Sequence, residues 1–126
     1  MGYETFEELV VYKSAREFRK EIYNLIKSLP EEEKYNLVSQ MRRAATSLTN
    51  NIAEGHGRYH YQENIQFCRQ SRGSLSELID DINICLDEKY GSPEHLESLK
   101  EKTYRVNKRL NGYVAYLKKR KQEDAG

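Results

Sequence analysis

The chain has 126 residues, a third of them charged, two prolines, no tryptophan and a formal net charge of +1. That length suits one domain core and leaves little room for a two-domain enzyme, the near-neutral balance excludes a uniformly basic nucleic-acid binder, and scarce proline fits long solvated helices better than a many-turned sheet protein. No apolar run approaches the roughly 20 residues of a membrane span, and the acidic opening MGYETFEEL lacks the basic-then-apolar order of a signal peptide, so a cytoplasmic protein with no membrane contact is expected.

Val11, Ala15, Phe18, Ile22, Leu25 and Leu29 follow alternating steps of four and three, a seam that stops at Pro30 and predicts a first helix over roughly 6–28. Leu37, Met41, Ala44, Leu48 and Ile52 make a second seam. It predicts a helix over roughly 32–54, ended by EGHGR, where glycine suits a left-handed turn. Cys68, Leu75, Ile79, Ile82 and Leu86 predict a third helix over roughly 61–88, before the turn Gly91-Ser92-Pro93. Leu96, Leu99, Thr103, Val106, Leu110, Val114 and Leu117 predict a fourth over roughly 94–120, with a polar tail at 121–126. Four helices with short connections predict an all-α, antiparallel up-and-down four-helix bundle, a single domain over 1–126. Cys68 and Cys85 lie about 25 Å apart along one helix, too far to bridge. They are expected to be small core residues in a reducing compartment.

The stretch CRQSRGSLSEL, Cys68 to Leu78, interrupts the third seam with an arginine, a glycine and serines. Two heptad frames overlap there: one buries Arg72, the other buries Ser71 and puts Arg72 on the flank. The second is favoured, because an unpaired buried charge costs several kcal/mol. Gly73 costs roughly 1 kcal/mol relative to alanine inside a helix, so a compensating contact is expected. A close helix crossing, in which Ala44 and Ala45 meet Ser71, Gly73 or Ser74, would supply it and would make Gly73→Leu destabilising; a merely thinner core is the alternative. On the second helix Gln40, Arg43, Ser47, Asn51 and Glu54 share one face beside the core. They are either a solvated face or a hydrogen-bonded network with Arg72 and Glu77, in which Glu54 and Glu77 accept from Arg43, Arg58 or Arg72.

YNLVSQMRRAATSLTNNIAEGHGR (Tyr35 to Arg58) and RGSLSEL (Arg72 to Leu78), preceded by FEELVVYKSAREF and an LP break, resemble the bacterial four-helix-bundle family of the proteins encoded in intervening sequences of large-subunit ribosomal RNA genes. More distantly they are similar to the accessory variability proteins of diversity-generating retroelements. No motif carries the resemblance over the last forty or so residues. The resemblance implies an up-and-down bundle, a homopentamer and no catalytic activity, and its retroelement members bind nucleic acid and a reverse transcriptase. Fold follows from such a likeness more securely than function does.

The residues themselves offer little to an enzyme. His56 and His60 have metal-ligand spacing only if helical, but Gly57 stands between them and no third ligand is evident, so no metal and no cofactor are expected. EGHGR lacks the preceding strand and the lysine of a phosphate loop, and Asp80-Asp81 and Glu31-Glu32-Glu33 read as helix-surface or first-turn acids. Charge placement says more. From Lys102 to Lys121 there are eight basic side chains, Lys102, Arg105, Lys108, Arg109, Lys118, Lys119, Arg120 and Lys121, and no acid, leaving the rest of the chain net acidic. Lys102, Arg105, Lys108, Arg109, Lys119 and Arg120 fall opposite the Leu99-Val106-Leu110-Leu117 seam as an outer basic stripe. The pattern fits an ordinary solvated face as well as a polyanion-binding one. The expectation drawn from residues and resemblance together is a non-enzymatic homo-oligomer, a pentamer by the resemblance, binding RNA or DNA and assisting a reverse transcriptase or ribosomal component. The rival is a protein-interaction scaffold that touches no nucleic acid. Helix three is apolar on both frames, more surface than one bundle core uses, which also points to self-association.

Overall fold

In the computed structural model, which describes residues 5–125, the apolar seams form four helices: α1 (Val10–Lys27), α2 (Leu37–His56), α3 (Tyr61–Asp87) and α4 (Pro93–Ala125). Each packs on its neighbours in sequence, and α4 closes back on α1. This is an up-and-down four-helix bundle. Val11, Phe18 and Ile22 from α1 meet Met41, Leu48 and Ile52 from α2, Leu75 and Ile82 from α3, and Leu99, Leu110 and Leu117 from α4 in one buried core. Burying each large side chain contributes about 1.5–3 kcal/mol.

The helix ends differ from the sequence expectation in instructive ways. Phe6–Glu8 is a separate 3₁₀ turn, and extended backbone at Leu9 divides it from α1. Glu31–Glu33 likewise closes a 3₁₀ turn, and Asn36 (φ −125°, ψ −97°) leaves helical geometry, so α2 starts at Leu37 and not near residue 32. The glycines of EGHGR do not end α2 in a left-handed turn: Gly55 is inside the helix and Gly57 has φ −77°. Left-handed backbone occurs instead at Lys89 (φ 60°) and Gly91 (φ 101°), between α3 and α4. There Ser92 Oγ accepts from the His95 amide at 3.2 Å and Pro93 opens α4, where its missing N–H goes unneeded. The expected tail at 121–126 is helical to Ala125, giving α4 33 residues and a length of about 50 Å.

Helices α2 and α3 share the most extensive contact, and small side chains let them approach. Ser71 Oγ donates to the Leu48 carbonyl at 2.9 Å, and Ser74 Oγ donates to Ser47 Oγ at 3.1 Å. Ala44 and Ala45 are buried beside them. Gly73, however, takes no part in this crossing: it faces outward, and a Cβ added there would meet nothing within 4 Å. The tight glycine is Gly55, whose added Cβ would lie 2.7 Å from Asn64 Oδ1 and 2.9 Å from the Phe67 Cβ. The buried frame of α3 is the one carrying Ser71, Leu78 and Cys85, so Arg72 lies on the flank. Cys68 and Cys85 are free and buried, and desolvation pushes both thiols up to about 11.

Candidate functional site

Helical geometry advances each residue by 100°, so eight cations spread over twenty residues cannot all share one face. The basic residues of α4 divide accordingly. Lys102, Arg105 and Arg109 border the groove against α1 with Ser14, Glu17 and Glu21, and Lys102 is ion-paired with Glu21. Lys118 and Lys121 border the groove against α3, where Lys121 Nζ donates to Gln62 Oε1 at 2.7 Å. Lys108 and Lys119 are exposed. Arg120 is hydrogen-bonded to Tyr61, which holds its guanidinium protonated even above its usual range. Lys102, Arg105, Lys108, Arg109, Lys119 and Arg120, the residues of the expected outer stripe, share one arc of about 120° on α4, while Lys118 and Lys121 lie on the α3 side. Lys102 is already neutralised, while Arg105, Lys108, Arg109, Lys118 and Lys119 stay exposed.

The polar stripe of α2 resolves into a short network and a solvated remainder. Ser47 joins Ser74 and also accepts from Asn51 Nδ2 at 2.9 Å, all within the α2–α3 seam. Gln40 and Arg43 are exposed, bonding to Asn36 and to the Ser39 carbonyl respectively. Glu54 takes Arg58 at 2.9 Å, an expected pairing, on the protein surface. Arg72 donates to Asn111 Oδ1 of α4 at 2.9 Å, a neutral amide where a carboxylate was expected, and Glu77 is exposed. The buried carboxyl is instead Asp81, expected on the helix surface. Burial, reinforced by Glu77 and Asp80, pushes its pKa up to about 6.

A feature that the sequence reading missed lies at the end of the bundle where α1 begins, α2 turns into α3 and α4 finishes. A concavity of about 650 Å³ opens there, lined by Tyr59, Tyr61, Tyr113 and Tyr116 together with His56, His60, Arg58 and Lys121. Four of the chain's ten tyrosines meet at this one place, so the cluster is not a scatter of surface rings. The Tyr113 and Tyr116 rings lie 6.3 Å apart at 16°. Tyr113 is anchored, because buried Asn64 donates to its hydroxyl at 3.1 Å. Arg58 sits over the Phe67 ring at 4.8 Å while bonded to Glu54. His56 and His60 contribute to this wall, and among the described residues no group of three or more His, Cys, Asp or Glu side chains is placed to hold a metal ion. The signals in the sequence were RYHY after α2 and YVAY near the end of α4.

The family model described as 23S rRNA-intervening sequence protein matches residues 7–112. No curated protein matches the chain. Among solved structures it is similar to a protein of unknown function from the S23 ribosomal protein family of Bacteroides thetaiotaomicron. The two share 24% identity with a TM-score of 0.77, over 83% of this chain and 98% of that one, which is a likeness of fold. No helix among the described residues is long and apolar enough to cross a membrane.

Proposed function

Because the chain belongs to the 23S rRNA-intervening sequence protein family, we propose that it is a non-enzymatic, cytoplasmic, homo-oligomeric accessory protein that binds RNA through the outer basic face of α4. The observation that carries this reading is the exposure of Arg105, Lys108, Arg109, Lys118 and Lys119 on one helix that has no acid between Lys102 and Lys121. Exposed cations free of carboxylate partners are those that can exchange water for phosphate and release counterions. The buried hydroxyls supply no competing chemistry: Ser71 and Thr103 spend theirs on helix carbonyls, and Thr49 accepts from Arg19 while donating to Thr46.

Self-association has support of its own. Phe67, Ile79 and Ile84 of α3 stay half-exposed, and Val10 and Tyr104 are open to solvent, leaving apolar surface for a second copy. Repeating this basic face in a ring of five, the number implied by the resemblance, would let modest phosphate contacts add through avidity. Light scattering at micromolar concentration should therefore return a multiple of 14.9 kDa, five being the expected factor; a monomer mass overturns the assembly.

The binding itself is tested by replacing Arg105, Lys108, Arg109 and Lys119 with glutamine, leaving Lys102 on Glu21. All four side chains are exposed, so the circular dichroism spectrum should not change. Affinity for structured RNA should fall, and the slope of log affinity against log salt should flatten by about 0.7–0.9 for each phosphate that the variant no longer neutralises. Equal binding by variant and wild type, or no binding by the wild type at low salt, would leave a protein-interaction scaffold, for instance one docking a reverse transcriptase or ribosomal component.

A further inference from the structure

Tyr59 is 93% exposed and Tyr116 56% exposed, and both residues border the concavity. A tyrosine left open in a concavity keeps a flat apolar face ready for another flat face. The neighbouring geometry fixes how that face is presented. Tyr116 lies nearly parallel to Tyr113, and Tyr113 is tied by its hydroxyl to Asn64, a buried residue in the first turn of α3. Tyr116 is therefore backed by an anchored ring.

We propose that this end of the bundle takes unpaired nucleic-acid bases, stacked on Tyr59 and Tyr116, while the strand's phosphates follow the outer basic face of α4. The proposal rests on the RNA-binding reading and adds which part of an RNA is recognised, and where. Base–aromatic stacking beside a cationic track is how single strands are held with little sequence preference. Lys119 occupies the same last turns of α4 as Tyr116, and Arg109 lies about 15 Å further back along the same outer face. Lys121, on the rim, donates to the neutral Gln62 amide oxygen and has no carboxylate bonded to it among the described residues. Asp124 shares that rim with Lys121, and the open ring faces of the wall offer a base an apolar surface to stack on. Bases within a duplex are already stacked on one another and have no free face to offer.

The experiment compares wild type, Tyr59→Ala/Tyr116→Ala and Tyr59→Phe/Tyr116→Phe in binding a single-stranded RNA oligomer carrying 2-aminopurine and a blunt RNA duplex. The alanine pair should weaken single-strand binding by about five- to a hundredfold and abolish the 2-aminopurine quenching, with duplex affinity within about twofold of wild type. The phenylalanine pair, which keeps both rings, should behave as wild type. Equal losses on strand and duplex would overturn the proposal. So would a phenylalanine pair as weak as the alanine pair, or a changed oligomer mass in the alanine pair, which would make the rings a subunit contact. Failure of the underlying RNA-binding reading looks different: the wild type then binds neither polymer.

Discussion

Gly55→Val is expected to destabilise the protein by about 3 kcal/mol and lower its melting temperature by roughly 10 °C, whereas Gly73→Ala should raise stability by about 1 kcal/mol. Both glycines lie within helices, so the opposite signs come from their surroundings. At position 55 any Cβ meets Asn64 Oδ1, the Phe67 Cβ and, at 3.2 Å, the Asn64 carbonyl. The amide could swing aside only by giving up the Tyr113 hydroxyl and the Cys68 thiol, and the other two atoms belong to or adjoin the backbone of α3. The helices must separate, which loosens the seam closed by Ser71 and Ser74. At position 73 the new methyl meets nothing, and the gain is the lower backbone entropy of alanine in the unfolded chain. Denaturant melts followed by circular dichroism decide the matter; a neutral Gly55→Val would mean that α2 and α3 are not held at this distance in solution.

Asp81→Asn is expected to stabilise the protein at pH 7 by about 2 kcal/mol and to do nothing below about pH 4. The carboxyl is 6% exposed, and the neighbouring charges it feels, Glu77 and Asp80, are both negative. In the unfolded chain it ionises near its ordinary 3.8, whereas the fold keeps it protonated until about pH 6. Between those values the folded state binds more protons, so its stability falls as pH rises, and the loss is complete above about pH 6. Asparagine has no charge to desolvate and escapes that loss. Urea titrations of both proteins at pH 4 and pH 7 should show a gap only at the higher value; a gap of equal size at both would assign the effect to packing.

What could be read from the chain follows from what a helical wheel contains. It shows which side chains share a face, so the frame of α3 through Cys68, Leu75 and Ile82, and Arg72 on its flank, were legible. It does not show how near the next helix lies. That is why Gly73, conspicuous in CRQSRGSLSEL, looks like the close approach, while Gly55, hidden in a segment that resembles a cap, is the real one. The wheel also loses α4 after Leu117, its last apolar seam residue, although lysine, glutamine, glutamate and alanine in 121–125 readily continue a helix. Among the site residues, the α4 cations are plain from a count of charges, but the pairing of Lys102 with Glu21 spans 81 positions and has no local signature. The tyrosines of the concavity are hidden for the same reason. Tyr59 and Tyr116 come to border one concavity only because antiparallel packing returns the end of α4 to the start of α3.

The two ends of the bundle are fastened unequally. At one end the α1–α2 and α3–α4 connections are tied to each other by Tyr90, whose hydroxyl donates to Glu33 Oε2 at 2.9 Å across 57 positions of sequence. The other end has a single connection, at residues 57–60, and there α1 starts and α4 finishes. Fluctuational opening therefore proceeds from the tyrosine end, with amides near Tyr61 and Tyr116 exchanging hydrogen ahead of those near Leu37 and Leu96. The proposed base platform thus stands on the part of the molecule that breathes most easily, and an occupant bridging Tyr59 and Tyr116 would act there as the missing clasp.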